Sequence, residues 1–310
     1  MTLPPFLKPG DKVALCATAR WIDTASLQAA VERIESWGYQ VLVSEQVEQR
    51  SFQLAGSAEG RTRAVQVLLD DPEVRALVVV RGGYGTVHLL DDLDFTAFLK
   101  SPKWVCGYSD ITALHALLNG NLDVASIHST MPVSFPHATH EALQTLRDAL
   151  SGELKSFRFP TSAPPLHLSG AIMGGNMSVL YSLLGSPQQL SPNGILFLED
   201  VDEMYYHIDR MMVALKRSGM LDEVKAILLG GFTQMKDNTP AFGFSVDNPW
   251  GIEPLQTLRS IAAKLHIPVI DGFPAGHQND NRAFYLQVPA ELKVDAHGMG
   301  ELTFRTLPAE

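Results

Sequence analysis

A chain of 310 residues, 45% hydrophobic and 19% charged, is globular and long enough for two modest cores, which excludes a disordered or fibrous protein. Its formal net charge of −10 comes without a dense Lys/Arg run, so the electrostatic footprint of a nucleic-acid binder is missing and a small or non-anionic partner is favoured. There is no apolar run of signal-peptide or bilayer-spanning length, and Cys16 and Cys106 lie in apolar, strand-like segments that suit a reduced core; a cytoplasmic protein with no membrane partner is expected.

Along the first 150 residues, short apolar runs alternate with amphipathic stretches, the pattern of a parallel sheet covered by helices. Strands are predicted at Val13–Ala17, Gln40–Val43, Ala76–Val80, Trp104–Gly107 and Val124–His128. Helices are predicted at Thr24–Trp37, Ala58–Leu69, Val87–Leu99, Asp110–Leu118 and His140–Leu150. In the first helix Ile22, Ala25, Leu27, Ala30, Val31 and Ile34 fall on one face. The proline-rich stretch Phe159–Pro165 breaks regular structure and marks the expected boundary between domains at 1–160 and 166–310. Beyond it the strand predictions are Leu166–Met173, Ile195–Leu198, Ala226–Leu229, Phe284–Val288 and Leu302–Arg305, with helices near Met177–Leu184, Met204–Lys216 and Pro254–Lys264. Together these describe a smaller, β-rich second domain.

The segment Trp104-Val-Cys-Gly-Tyr-Ser-Asp-Ile-Thr112 runs from an apolar strand straight into a helix, with Ser109 at the corner. A serine on such a turn points its hydroxyl away from the sheet, beside backbone N–H groups that can hold an oxyanion. The amide of Asp110 is the first candidate donor. Gly107 supplies the Gly-x-Ser half of a nucleophile elbow, and Ile111 stands where a second glycine would follow. Helix capping by Ser109 or Asp110 explains the same residues more simply. Upstream, Val78-Val-Val-Arg-Gly-Gly-Tyr-Gly-Thr86 is another strand ending in a glycine-rich loop, where Gly82 or Gly83 can offer a second oxyanion donor. A plain structural turn and a phosphate cradle are the competing readings, although neither phosphate-loop spacing is met.

A serine needs a base, and histidine suits neutral pH. His277 lies in the loop Ile270-Asp-Gly-Phe-Pro-Ala-Gly-His-Gln-Asn-Asp280, whose glycines and proline fix its path. An ordinary turn histidine fits that loop too. His128 is a reserve candidate, and His115 is expected to pack inside its helix. A carboxylate must orient the base, and Glu199 ends the apolar run Ile195–Leu198. Asp202 or Glu203 is expected to cap the next helix. A metal site built from Glu199, Asp200, Asp202 and Glu203 has no matching His/Cys set.

Taken in order, Arg81-Gly-Gly-Tyr-Gly85, Gly107-Tyr-Ser-Asp-Ile-Thr112, Gly174-Gly-Asn176, Phe197-Leu-Glu-Asp200 and Gly276-His277 closely resemble the LD-carboxypeptidases of murein recycling. The resemblance implies a flavodoxin-like or amidotransferase-like N-terminal domain, a smaller β-rich C-terminal domain and an active site in the cleft between them. It also implies a Ser109–Glu199–His277 triad, a homodimer, no metal or other cofactor, and a murein tetrapeptide substrate that loses its terminal D-alanine. Within the motifs, Arg81, Tyr84 and Asn176 are the candidate substrate-binding residues. A microcin-immunity type of hydrolase, stacking a base on Trp250 or Phe244, is the nearest alternative; a non-catalytic peptide-binding protein is the other.

Overall fold

The computed structural model describes residues 1–305, and the remainder of the expected second domain, 306–310, lies outside the described residues. The chain begins with β1 (Lys12–Cys16), α1 (Thr24–Ser36), β2 (Gln40–Val43), α2 (Ala58–Asp70), β3 (Val74–Val79), α3 (Thr96–Lys100), β4 (Trp104–Gly107), α4 (Thr112–Ala116), β5 (Ser126–His128) and α5 (His140–Ser151). It continues with β6 (Ser156–Pro160), β7 (Leu166–Asn176), α6 (Met177–Ser182), β8 (Ile195–Val201), α7 (Tyr205–Arg217), β9 (Ala226–Thr233), α8 (Pro254–Ala263), β10 (Val269–Ile270), β11 (Phe284–Leu286), β12 (Pro289–Val294) and β13 (Met299–Phe304). The protein is α/β, with two separate sheets among the described residues.

One compact unit comprises Met1–Lys155 with Asn279–Val288, and the other Ser156–Gln278 with Pro289–Arg305. The first unit's sheet has the order β2-β1-β3-β4-β5-β11, of which β2-β1-β3-β4-β5 is parallel and flavodoxin-like. Apolar residues on both faces suit strands covered by helices on both sides: β4 is buried throughout and β3 nearly so. Helix α1 starts at Asp23, whose carboxylate accepts from the Ser26 amide at 2.9 Å. It buries Leu27, Ala30 and Ile34, a narrower face than expected, since Ala25 is exposed and Val31 only partly covered.

The single boundary expected at Phe159–Pro165 differs from this division. Residues 156–160 already form β6, which pairs with β13, and Pro160 is tolerated because β6 is the outer strand of its sheet. The segment Phe284–Val288, expected in the second domain, instead supplies β11, which pairs antiparallel with β5 in the first sheet, Phe284 opposite His128. The expected helix Val87–Leu99 is broken: a 3-10 turn at Thr86–Leu89 is separated from α3 by an acidic turn in which Asp94 accepts from the Thr96 amide and hydroxyl.

The second unit's sheet runs β10-β9-β8-β7-β12-β13-β6. Strand β7 joins its two halves: Leu166–Ala171 pairs antiparallel with β12, and Ile172–Asn176 parallel with β8, placing Asn176 opposite Glu199. Helix α7 buries Ile208, Met211, Met212 and Leu215. Among the described residues no helix is long and apolar enough to cross a membrane.

Candidate active site

In a sheet of order 2-1-3-4-5, the chain leaves β1 and β3 in opposite directions, and ligands gather outside the carboxyl ends of those strands. Three loops of the first unit are tied together there. Thr18, after β1, meets Thr86, after β3, through their hydroxyls at 2.7 Å. The Thr86 amide donates to Asp110 Oδ2, after β4, at 2.9 Å. Beneath them the buried Arg61 donates to the Thr18 and Gly56 carbonyls at 2.9 and 2.7 Å.

Ser109 occupies the corner with φ of 64°, a left-handed conformation that costs a non-glycine residue on the order of 1–3 kcal/mol and persists only where its surroundings impose it. Gly107 shows how the turn closes: a β-carbon there would stand 2.9 Å from Ile111 Cγ1, so Ile111 packs into the space that a side chain would fill. Neither the 3-10 turn Ser109–Ile111 nor α4 begins with a side-chain cap, and the Asp110 carboxylate turns to Thr86 instead. Gly82 lies against the serine, for a β-carbon on it would be 3.2 Å from Ser109 Cβ and 3.3 Å from Ser109 Oγ. Gly83 has φ of 118° and carries the Arg20 side chain across it.

The histidines separate cleanly. His128 is fully buried, stacked on Phe284 with ring centroids 4.7 Å apart, and belongs to the core of the first sheet. His115 Nε2 lies 3.0 Å from the Gly107 carbonyl, and burial pushes its pKa down to about 4, the signature of a neutral core histidine. The two cysteines are free and buried, with the Cys16 thiol pushed up to about 12 by burial.

In the second unit, His277 Nδ1 lies 2.6 Å from Glu199 Oε2. Glu199 is fully buried within β8, while His277 keeps partial exposure. Burial is the largest influence on His277 and opposes its protonation. The hydrogen bond and charge of Glu199, with the charge of Asp200, outweigh it and raise the pKa above 6.5. Gly276 makes the approach possible: its φ is 104°, and a β-carbon would meet Glu199 Cβ at 2.8 Å and Oε2 at 2.9 Å.

Beside Glu199, burial and its neighbour's charge raise Asp200 to about 7. Its oxygens accept from the amides of Ser178 and Val201, both at 2.9 Å, and from Asn176 Nδ2 at 3.0 Å. Asn176, a candidate substrate-binding residue, is buried and also caps α6 through the Val179 amide at 3.1 Å, so it supports β8 from behind. Neither Asp202 nor Glu203 caps α7: Asp202 pairs with Lys236 and Glu203 with His207. Among the described residues no group of three or more His, Cys, Asp or Glu is arranged to hold a metal ion. Tyr84 is more than half exposed and sets its edge against His88. Arg81 donates to the Trp21 carbonyl at 3.3 Å. Sequence reasoning missed Arg20, whose one signal was its place just beyond β1 at the switch point.

Each constellation supplies one part of what acyl transfer needs: a serine presented on a strained turn, and a histidine whose tautomer and charge are set by a buried carboxylate. Nucleophilic hydrolases use parts of these two kinds. Residues 13–129 match the model of the LD-carboxypeptidase N-terminal domain and residues 169–292 that of the C-terminal domain. A murein tetrapeptide carboxypeptidase of Pseudomonas aeruginosa is 32% identical over 88% of this chain and 90% of its own length. A Synechocystis protein, named only provisionally as a carboxypeptidase, is 33% identical over 97% of this chain and 96% of its own. The crystal structure of muramoyltetrapeptide carboxypeptidase from Oxalobacter formigenes superposes with a TM-score of 0.83, at 28% identity, covering 96% of this chain and all of that one. The microcin C7 self-immunity protein shares the fold, with a TM-score of 0.83 at 19% identity and 99% coverage of both chains. The chain belongs to the LD-carboxypeptidase family.

Proposed function

We propose that the protein is a serine carboxypeptidase that hydrolyses the L-to-D peptide bond of murein tetrapeptides and releases terminal D-alanine, acting in the cytoplasm as a homodimer on recovered cell-wall peptide. The observation that carries this reading is the buried Glu199–His277 pair at 2.6 Å. A carboxylate sealed from water and bonded to Nδ1 directs the other ring nitrogen outward as a base, the role that the third member of a triad performs. The names of the Pseudomonas and Oxalobacter relatives support the choice of substrate.

In the proposed reaction His277 takes the Ser109 proton as Oγ attacks the scissile carbonyl. The oxyanion is held by the amide of Asp110 and by that of Gly82 or Gly83. The tetrahedral adduct collapses as His277 returns the proton to the leaving amine, and D-alanine departs. Water, deprotonated by His277, then attacks the acyl-serine, releasing the shortened peptide and restoring the hydroxyl. Loss of one oxyanion donor reduces the rate by about 10²–10³-fold in sites of this kind.

Mass analysis of a murein tetrapeptide incubated with wild type and Ser109→Ala tests the assignment. Wild type should release D-alanine, and the variant should lose on the order of 10⁶ in kcat. Release by the variant at the wild-type rate sinks the mechanism. A second reading draws on the exposed Trp250 and Phe244, 43% and 37% accessible, which are free to stack a nucleotide base. Faster turnover of an aminoacyl-sulfamoyl adenylate than of tetrapeptide would favour it.

A further inference from the structure

Two arginines come from the loops next to the serine turn, and neither meets a carboxylate among the described residues. Arg20 comes from the loop after β1. Its side chain lies flat on the glycine loop after β3, since a β-carbon at Gly83 would be 2.6 Å from both its Cδ and its Nε. That Nε is buried and has no hydrogen-bond partner among the described residues. Arg81, from the loop after β3, is steadied by Trp21, whose ring centroid is 5.8 Å from the guanidinium carbon and whose carbonyl accepts one N–H.

Burial and then the charge of Arg20 lower the pKa of Arg81, and only Asp23 works in the opposite sense. Asp23 is itself engaged at the start of α1, with the Ser26 amide. Like charges held together, partly out of water, disfavour each other until an anion is shared between them. A guanidinium presents a planar fork of donors that matches a carboxylate.

Their position relative to the nucleophile decides which anion. Gly82 rests on Ser109 and the next residue, Gly83, carries Arg20. Successive α-carbons are about 3.8 Å apart. The cations therefore begin about one residue's reach from the serine, and a peptidase that removes a single C-terminal residue must seat a carboxylate at that distance from the scissile carbonyl. Resting on the serine carboxypeptidase reading above, we infer that Arg20, with Arg81, binds the free α-carboxylate of the departing residue and so restricts cleavage to the last peptide bond.

Calorimetric titration of the Ser109→Ala chain with murein tetrapeptide, as the free acid and as the terminal carboxamide, separates this inference from the hydrolase reading. Charge-assisted hydrogen bonds predict that the acid binds about 10- to 100-fold more tightly than the amide. Adding Arg20→Ala should remove most of that preference by weakening the acid alone, and Arg81→Ala should remove part of it. Arg20→Lys keeps the charge, loses the fork and should give an intermediate preference, which carries the test if the alanine variant fails to fold. Equal weakening of both peptides, an unchanged preference in folded Arg20 variants, or no preference at the outset overturns the inference. D-alanine release by the chain carrying Ser109 is read separately. Its absence with the preference intact removes the hydrolase reading and leaves the carboxylate site, whereas its presence with no preference does the reverse.

Discussion

The two units prepare the proposed reactive groups by different means. In the first, Ser109 is placed by backbone: a left-handed corner, Ile111 packed against Gly107, and Gly82 pressed to its side chain. In the second, His277 is prepared by charge, through a sealed carboxylate 2.6 Å away and a second acid behind it. The difference follows from chemistry. A hydroxyl gains little from a shifted equilibrium of its own and needs to be aimed, whereas an imidazole works only if its protonation and tautomer are controlled.

After the loss expected of Ser109→Ala, the next largest effect tests the electrostatic side. Glu199→Gln keeps the shape and removes the charge, and kcat should fall by about 10⁴, as it does when a triad carboxylate becomes an amide. The pH profile supplies the sign. His277 must be neutral to accept a proton, and its pKa lies above 6.5, so the acid limb of kcat/KM in wild type should lie above pH 6.5. With the Glu199 charge gone, burial dominates and the limb should move to lower pH. A limb that stays in place would show that Glu199 does not set the base.

Geometry in the second unit is tested by Gly276→Ala. The new β-carbon meets Glu199 at 2.8 Å in a backbone conformation that alanine resists. A displacement of about 1 Å at the base should reduce kcat by about 10², with Glu199 and His277 both still present. Unaltered turnover would mean that the loop tolerates the shift and that charge alone governs this side.

The smallest effect on catalysis, none, is expected from His115, a buried histidine of the first unit. His115 is neutral in the fold, with a pKa near 4 against 6.5 when unfolded. The unfolded chain therefore binds the extra proton first. Stability is full above pH 6.5 and declines by about 3 kcal/mol as pH falls toward 4. Denaturant titrations of wild type and His115→Gln across that window should show a shallower acid slope in the variant at unchanged turnover above it. Identical slopes would place the acid sensitivity elsewhere.

These contrasts also explain what was readable in the chain. The parallel strands around Ser109 and the corner itself were legible because an apolar run ending in Gly-Tyr-Ser-Asp can turn in few ways. Glu199 was legible at the end of an apolar run and His277 in a loop whose glycines and proline fix its path. That they act together came only through the family resemblance, because nothing local reports on a partner 78 positions away. Arg20 was invisible for the same reason: its meaning comes from lying on Gly83, a contact between loops. The helix expected over Val87–Leu99 had the right periodicity, but Asp94 closes a turn that competes with it. The destination of Phe284–Leu286 was hidden because alternation identifies a strand without saying which sheet it joins.

That last strand constrains how the protein can be divided and made. β11 falls within the residues matching the family's C-terminal domain, 169–292, yet it completes the sheet of the first unit beside β5. A chain cut after Lys155 would bare the β5 edge and the His128 ring that Phe284 covers, an open template for pairing with other chains. During synthesis the first unit must wait with that edge open until residue 286 has emerged. Expressing the two halves from separate genes should therefore yield insoluble N-terminal fragments unless the 279–288 segment is supplied with them.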